Sequence, residues 1–199
     1  MSVPSAAAVK VAKLAVIPVA LVASGLVVSQ ASYSAYSAST SNPTSNWTSG
    51  SVALSDDDSS TALFSASNLK PGSTGEKCIV VTSSGSLASS VKLYGTGSAT
   101  TKGLASQISL SVTQGSGGSF GSCTGFTAAS SGASVYSGTV AGLGSSATSY
   151  ATGVGTWAPT GSGSESRTYK VVYGLADNAP DSSQGGTASL GLTWEAQNS

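Results

Sequence analysis

The chain has 199 residues, enough for one domain of ordinary size, and only 8% of them are charged, against a usual quarter. Eight Lys/Arg balance eight Asp/Glu, and no histidine is present, which removes Ser-His-Asp and Cys-His catalysis, the H-E-x-x-H zinc site and every imidazole ligand. Without clustered Lys/Arg there is no footprint for a nucleic-acid partner.

The first thirty-five residues read as an export leader. Lys10 and Lys13 precede an apolar run over residues 14–28, interrupted only by Ser24, and Ser29-Gln30-Ala31 has the small-x-small form of a signal peptidase site. Cleavage is expected after Ala31 or Ala35. The run falls short of the roughly twenty residues a membrane span needs, so membrane contact is expected only before cleavage. Removing Lys10 and Lys13 leaves six bases against eight acids, a net charge of about −2. Export also gives meaning to the two cysteines. Cys78 and Cys123 lack a C-x-x-C arrangement and a His partner, and an even count in an exported chain reads as one structural disulfide.

Residues 36–46 are polar and turn-rich, a flexible N-terminal arm or weak edge strand. Asn46-Trp47-Thr48 matches the glycosylation sequon, a short and common match that carries little weight. Residues 47–94 then read as four consecutive strands. Val52 and Leu54 alternate with small polar residues before Asp56, Asp57 and Asp58 break the run; Ala62, Phe64 and Ala66 alternate next. Asn68-Leu69-Lys70-Pro71-Gly72 supplies a turn, with φ fixed at Pro71 and left-handed backbone tolerated at Gly72. Residues 78–81 form an apolar run suited to a strand buried on both faces, and Val91 and Leu93 alternate again.

A loop is predicted over 95–103. Ile108, Leu110 and Val112 alternate strictly with Ser109, Ser111 and Thr113, the clearest half-buried strand in the chain. The Gly-rich residues 115–126, with Cys123 among them, read as a loop pinned by the disulfide. A short strand follows over 135–140, and residues 143–150 suit either a helical turn or a loop. Trp157-Ala158-Pro159 begins an irregular connection. Tyr169, Val171 and Tyr173 share one face of a strand over 168–175, residues 176–186 form a polar turn, and Ala188, Leu190, Leu192 and Trp194 alternate in the closing strand. Some eight or nine short strands with Gly-rich turns predict an all-β fold, a two-sheet antiparallel sandwich of jelly-roll type. The domain occupies residues 47–199.

Little chemistry stands out. Asp56, Asp57 and Asp58 are weak candidates for a calcium site, because successive strand residues point to opposite faces and could converge only in a turn. Their plainer reading is an acidic, solvated loop. Glu76, Glu165, Asp177, Asp181 and Glu195 include no pair marked by glycosidase spacing. Trp47, Trp157 and Trp194 could stack on sugars, Trp157 with Tyr150 at a loop end, although a Trp on an alternating strand more often packs in a core. No catalytic residue and no cofactor is expected.

Residues 47–54 (WTSGSVAL), Asn68–Gly72 as NLKPG, Gly85-Ser86-Leu87 with Val91-Lys92-Leu93-Tyr94, and the end from Gln184-Gly185 to Thr193-Trp194-Glu195-Ala196 resemble the TasA/camelysin family. The junction Ala35-Tyr36-Ser37 is similar to that family's leader end, cut by a dedicated signal peptidase. The resemblance covers both ends of the exported chain and little of the middle. It implies a secreted jelly-roll subunit of bacterial biofilm-matrix or cell-surface fibres that adds its N-terminal strand to the sheet of the next subunit. The partners implied are further copies or other matrix subunits. A carbohydrate- or surface-binding module is the alternative, with surface glycans as partner. The metallopeptidase label some relatives carry has no mechanism in a chain without histidine.

Overall fold

A computed structural model of the chain describes Ser37–Ser39 and residues 50–198. The expected leader and its cleavage sites, most of the arm, and the sequon with Trp47 lie outside the described residues. The strands are β1 (Ser37–Ser39), β2 (Leu54–Asp56), β3 (Thr74–Ser83), β4 (Ser89–Thr100), β5 (Ile108–Ser116), β6 (Thr127–Ala128), β7 (Ser134–Thr139), β8 (Val154–Trp157), β9 (Glu165–Leu175) and β10 (Ala188–Asn198). They form two antiparallel sheets, one in the order β1-β10-β4-β8 and one in the order β2-β3-β9-β5-β6 with β7 also on β5. The chain crosses between sheets from β3 to β4, β4 to β5, β7 to β8, β8 to β9 and β9 to β10. This is the two-sheet sandwich that the alternation predicts.

Period-2 patterning decides which side chains meet. From the larger sheet, Ile79 and Val81 of β3, Tyr169 and Val171 of β9, and Leu110 and Val112 of β5 are buried. Val91 and Leu93 of β4, Trp157 of β8 and Trp194 of β10 face them from the other sheet, in one continuous core. Tyr169 and Trp194 touch across it with ring centroids 5.1 Å apart. Burying each such side chain contributes roughly 1.5–3 kcal/mol. A single apolar layer of this kind accommodates a chain whose outer faces are mostly Ser, Thr and Gly.

The Lys70–Ser73 turn forms as its residues dictate. Gly72 sits at φ 81°, which only glycine adopts freely after Pro71, and Ser73 N–H donates to the Lys70 carbonyl at 2.9 Å. Gly72 N–H donates to Leu175 O and Leu175 N–H to Ser73 O, so the turn also fastens the end of β9 as it feeds β3.

Four expectations are corrected. Residues 62–66 are not a strand. Ala62 and Ala66 are exposed, and alanine methyls offer too little apolar area to hold a face down. Positive φ at Ser59 and Ser60 also turns the chain away. Phe64 is anchored edge-on to Tyr173 at 5.0 Å, with Lys77 Nζ 5.9 Å from its ring centroid, and Leu63 beside it also packs against the core. Among the described residues of 47–94 there are therefore three strands where four are predicted. Next, the loop predicted over 95–103 is strand as far as Thr100, because β10 pairs with it at Thr96, Ala99 and Thr100; partner hydrogen bonds override the low β-propensity of its glycines. In β3, Val80 is only half-buried, so the run at 78–81 is not covered evenly on both faces. Last, the strand predicted over 135–140 ends at Thr139, whose hydroxyl accepts from Gly142 N–H at 3.0 Å and caps a helix over Val140–Ser146.

Cys78 and Cys123 form the expected disulfide, with Cα atoms 5.1 Å apart and a sequence separation of 45. The chain-entropy relation puts the stabilisation from a closed loop of this size at about 4 kcal/mol. Replacing both cysteines with serine should lower the unfolding free energy by about that amount, measured by urea melts of the oxidised wild type beside the variant.

Candidate assembly edge

The described residues place no convergent polar cluster of catalytic kind, and the sequence candidates fall apart spatially. Glu76 on β3 is paired with Lys170 at 2.6 Å. Glu165 opens β9, Asp177 and Asp181 lie beyond its other end, and Glu195 belongs to the opposite sheet. Glu165 is held below the usual carboxylate range, chiefly by the Thr160 hydroxyl and then by the Thr160 N–H. Trp157 is 4% exposed and Trp194 3%, so both are core residues and the sugar-stacking patch keeps only Tyr150.

The acidic triplet is split among three tasks. Asp56 is the last residue of β2. Asp57 Oδ1 accepts from Val80 N–H at 2.8 Å and its Oδ2 from Phe120 N–H at 2.7 Å. Asp58 Oδ1 accepts from Ser60 N–H at 2.6 Å, shaping its own turn. Among the described residues no group of three His, Cys, Asp or Glu could hold a metal ion. The calcium reading therefore has no geometry behind it, and the loop reading gains a structural role at Asp57. Burial raises the Asp56 pKa, and Asp58 beside it adds to the rise. A carboxyl whose folded value exceeds its unfolded one stabilises the fold below its ordinary value, and that stability is lost as pH rises through the raised one. Asp56→Asn should therefore melt a degree or two above wild type at pH 7. The difference should close at pH 3, by calorimetry at both pH values.

What the structure does build is an edge. β10 is 11 residues long and is paired on one side with β4 from Ala188 to Asn198. On its other side stands β1, antiparallel, with Ser37 opposite Gln197, Ala38 opposite Ala196 and Ser39 opposite Glu195. Along residues 188–193 no second strand is present among the described residues, and Leu190 and Leu192 there are half-buried against the core. Three paired residues gain roughly 0.5–1.5 kcal/mol per backbone bond. Fixing each residue costs about 1–2 kcal/mol. The attachment of β1 is thus near balance, unlike the long β10–β4 ladder.

Side chains on the outward face brace β10 where β1 meets it. Tyr94 Oη on β4 donates to Glu195 Oε2 at 2.8 Å, and Gln197 Nε2 donates to Glu195 Oε1 at 3.0 Å. Lys92 and Glu195 are register partners, with Lys92 Nζ turned instead to the Gly155 carbonyl at 2.7 Å. The alternation of 188–194 signals the strand, and nothing in it signals a brace whose partner lies 101 residues away.

Burial, reinforced by the bond to Glu195 and its negative charge, pushes the Tyr94 phenol up to about 12. Since the unfolded chain releases that proton near 10, Tyr94 supports the fold below that pH and the support is lost as pH rises toward 12. Tyr94→Phe should accordingly lose less stability than wild type between pH 9 and 11, read from urea midpoints at each pH. Searches of protein-family models and of curated proteins find no match to the chain.

Proposed function

We propose that this chain is a secreted structural subunit of the TasA/camelysin kind, which self-associates outside the cell by adding its N-terminal strand to the β10 edge of the next copy. The observation that carries this reading is the pairing of β1 with β10. The arm forms a three-residue strand at the outer edge of a sheet, near energetic balance. A strand so placed can leave its own sheet and occupy the same register in another copy, where the hydrogen bonds are identical and only the connectivity differs.

Two further features agree. The disulfide suits an oxidising environment, where such bonds persist. A Ser/Thr/Gly coat with 8% charged residues has few ion pairs for salt to screen, which suits an extracellular material.

Electron microscopy of the oxidised protein, with the leader removed, tests the reading against the same protein lacking residues 36–46. Filaments or extended oligomers should appear with the arm and vanish without it. Single particles in both preparations at every concentration would retire the proposal.

A further inference from the structure

β1 docks on three residues of β10, Glu195, Ala196 and Gln197, the last before Asn198 ends the strand. The last residues of a strand open before its middle, so the accepting edge sits where β10 is readiest to part from β4. Side chains hold it there on both faces. Ala196 is fully buried in the core. On the outward face Glu195, the one ionisable residue of β10, takes a bond from Tyr94 Oη at 2.8 Å and another from Gln197 Nε2 at 3.0 Å. Tyr94 reaches it diagonally, since its own register partner is Thr193. Beside them Tyr150 Oη donates at 3.1 Å to the carbonyl of Ser90, the register partner of Gln197. Along 188–193 no second strand pairs with β10 among the described residues. There the outward link to β4 is a pair of hydroxyls, Thr96 and Thr193, 3.3 Å apart. The bonds to an ionised acceptor, the stronger kind, stand where the arm docks.

We propose that the Tyr94–Glu195–Gln197 network is a latch that sets how often β1 leaves β10, and that loosening it speeds the exchange of arms between copies without changing how much is exchanged at equilibrium. The second half rests on the reading of β1 as the exchanged strand. Both halves have one cause. The network acts on the accepting edge, and that edge is the same whether the arm comes from its own chain or from a second copy. A contribution common to the two arrangements cancels between them. It remains only in the step that both must pass, in which the edge stands empty. Tyr94 and Gln197 are therefore positioning residues, acting through Glu195 on the three residues that receive the arm.

The test compares wild type with Tyr94→Phe/Gln197→Ala, both oxidised and with the leader removed. The double variant takes away both donors to Glu195. Amide hydrogen exchange at the protected positions of residues 37–39 should quicken about tenfold, roughly threefold for each bond lost, while Val112 and Val171 on the other sheet keep their protection. Native mass spectrometry then follows isotope-labelled and unlabelled copies after mixing. Mixed oligomers should form faster by the same factor, and the final distribution of masses should match wild type. Glu195→Ala should behave as the double variant does, and Glu195→Gln, which can keep both bonds, should lie nearer wild type. Unchanged protection at 37–39 overturns the proposal, as does equal loss at Val112 and Val171, a shifted final distribution, or Glu195→Gln as fast as Glu195→Ala. Should wild-type copies never mix, the strand-exchange reading fails, and protection at 37–39 decides the latch alone. If the double variant does not fold, Gln197→Ala removes a single bond and is read in the same way, with a change of about threefold.

Discussion

Asp57 places its two carboxylate oxygens on main-chain N–H groups 23 and 63 residues away, at Val80 and Phe120. In doing so it performs the task of a strand. β2 runs for three residues and stops, leaving the next edge donor of β3 in need of an acceptor. Water could supply one, but an open edge invites other chains. A carboxylate accepts both bonds with the extra strength of an ionised acceptor, and it joins three segments that no continuous strand could reach. The disulfide then holds the loop against the strand from one side while Asp57 holds it from the other.

This arrangement follows from the composition. A sheet surfaced by Ser, Thr and Gly has few long side chains with which to cover an edge, and β3 itself carries a single lysine, Lys77. Cross-strand hydroxyl pairs such as Thr82 with Ser166, 2.9 Å apart, stabilise the outer face modestly. They do nothing for the edge itself. Besides Asp57, closure comes from main-chain contact, Gly121 N–H on the Cys78 carbonyl, and the Gly-rich loop can approach β3 closely enough to provide it. Positive φ at Gly117, Gly118 and Gly121 lets that loop fold back on itself.

The strands were legible where alternation involved side chains large enough to matter. Ile108, Leu110 and Val112 announced β5, and Leu190, Leu192 and Trp194 announced β10, because each inward residue removes a large apolar area from water. The same alternation over Ala62, Phe64 and Ala66 misled, since period alone says nothing when the repeated residue is alanine. Pro71-Gly72 was readable because turn chemistry is local. Asp57 was not, and neither was the Tyr94–Glu195–Gln197 brace. Their partners lie far off in sequence, and only the register of strands brings them together. The acidic triplet carried a correct signal of a break in the strand and no signal of what the middle carboxylate would hold.

The two sheets therefore end in different ways on the side where β1 and β2 lie. The β10 edge is met by the three residues of β1, whose gain and ordering cost nearly cancel. The β3 edge is met by a loop fixed covalently, which in an oxidising environment does not come off. On the proposed reading, this asymmetry leaves one edge exchangeable and the other closed. If both were exchangeable, copies could add through either sheet and growth would branch or close at random. If both were inert, the arm would have no place to go. On the proposed reading, a subunit that extends in a single direction needs one edge of each sort, and a weak strand on β10 with a stapled loop on β3 is compatible with that need.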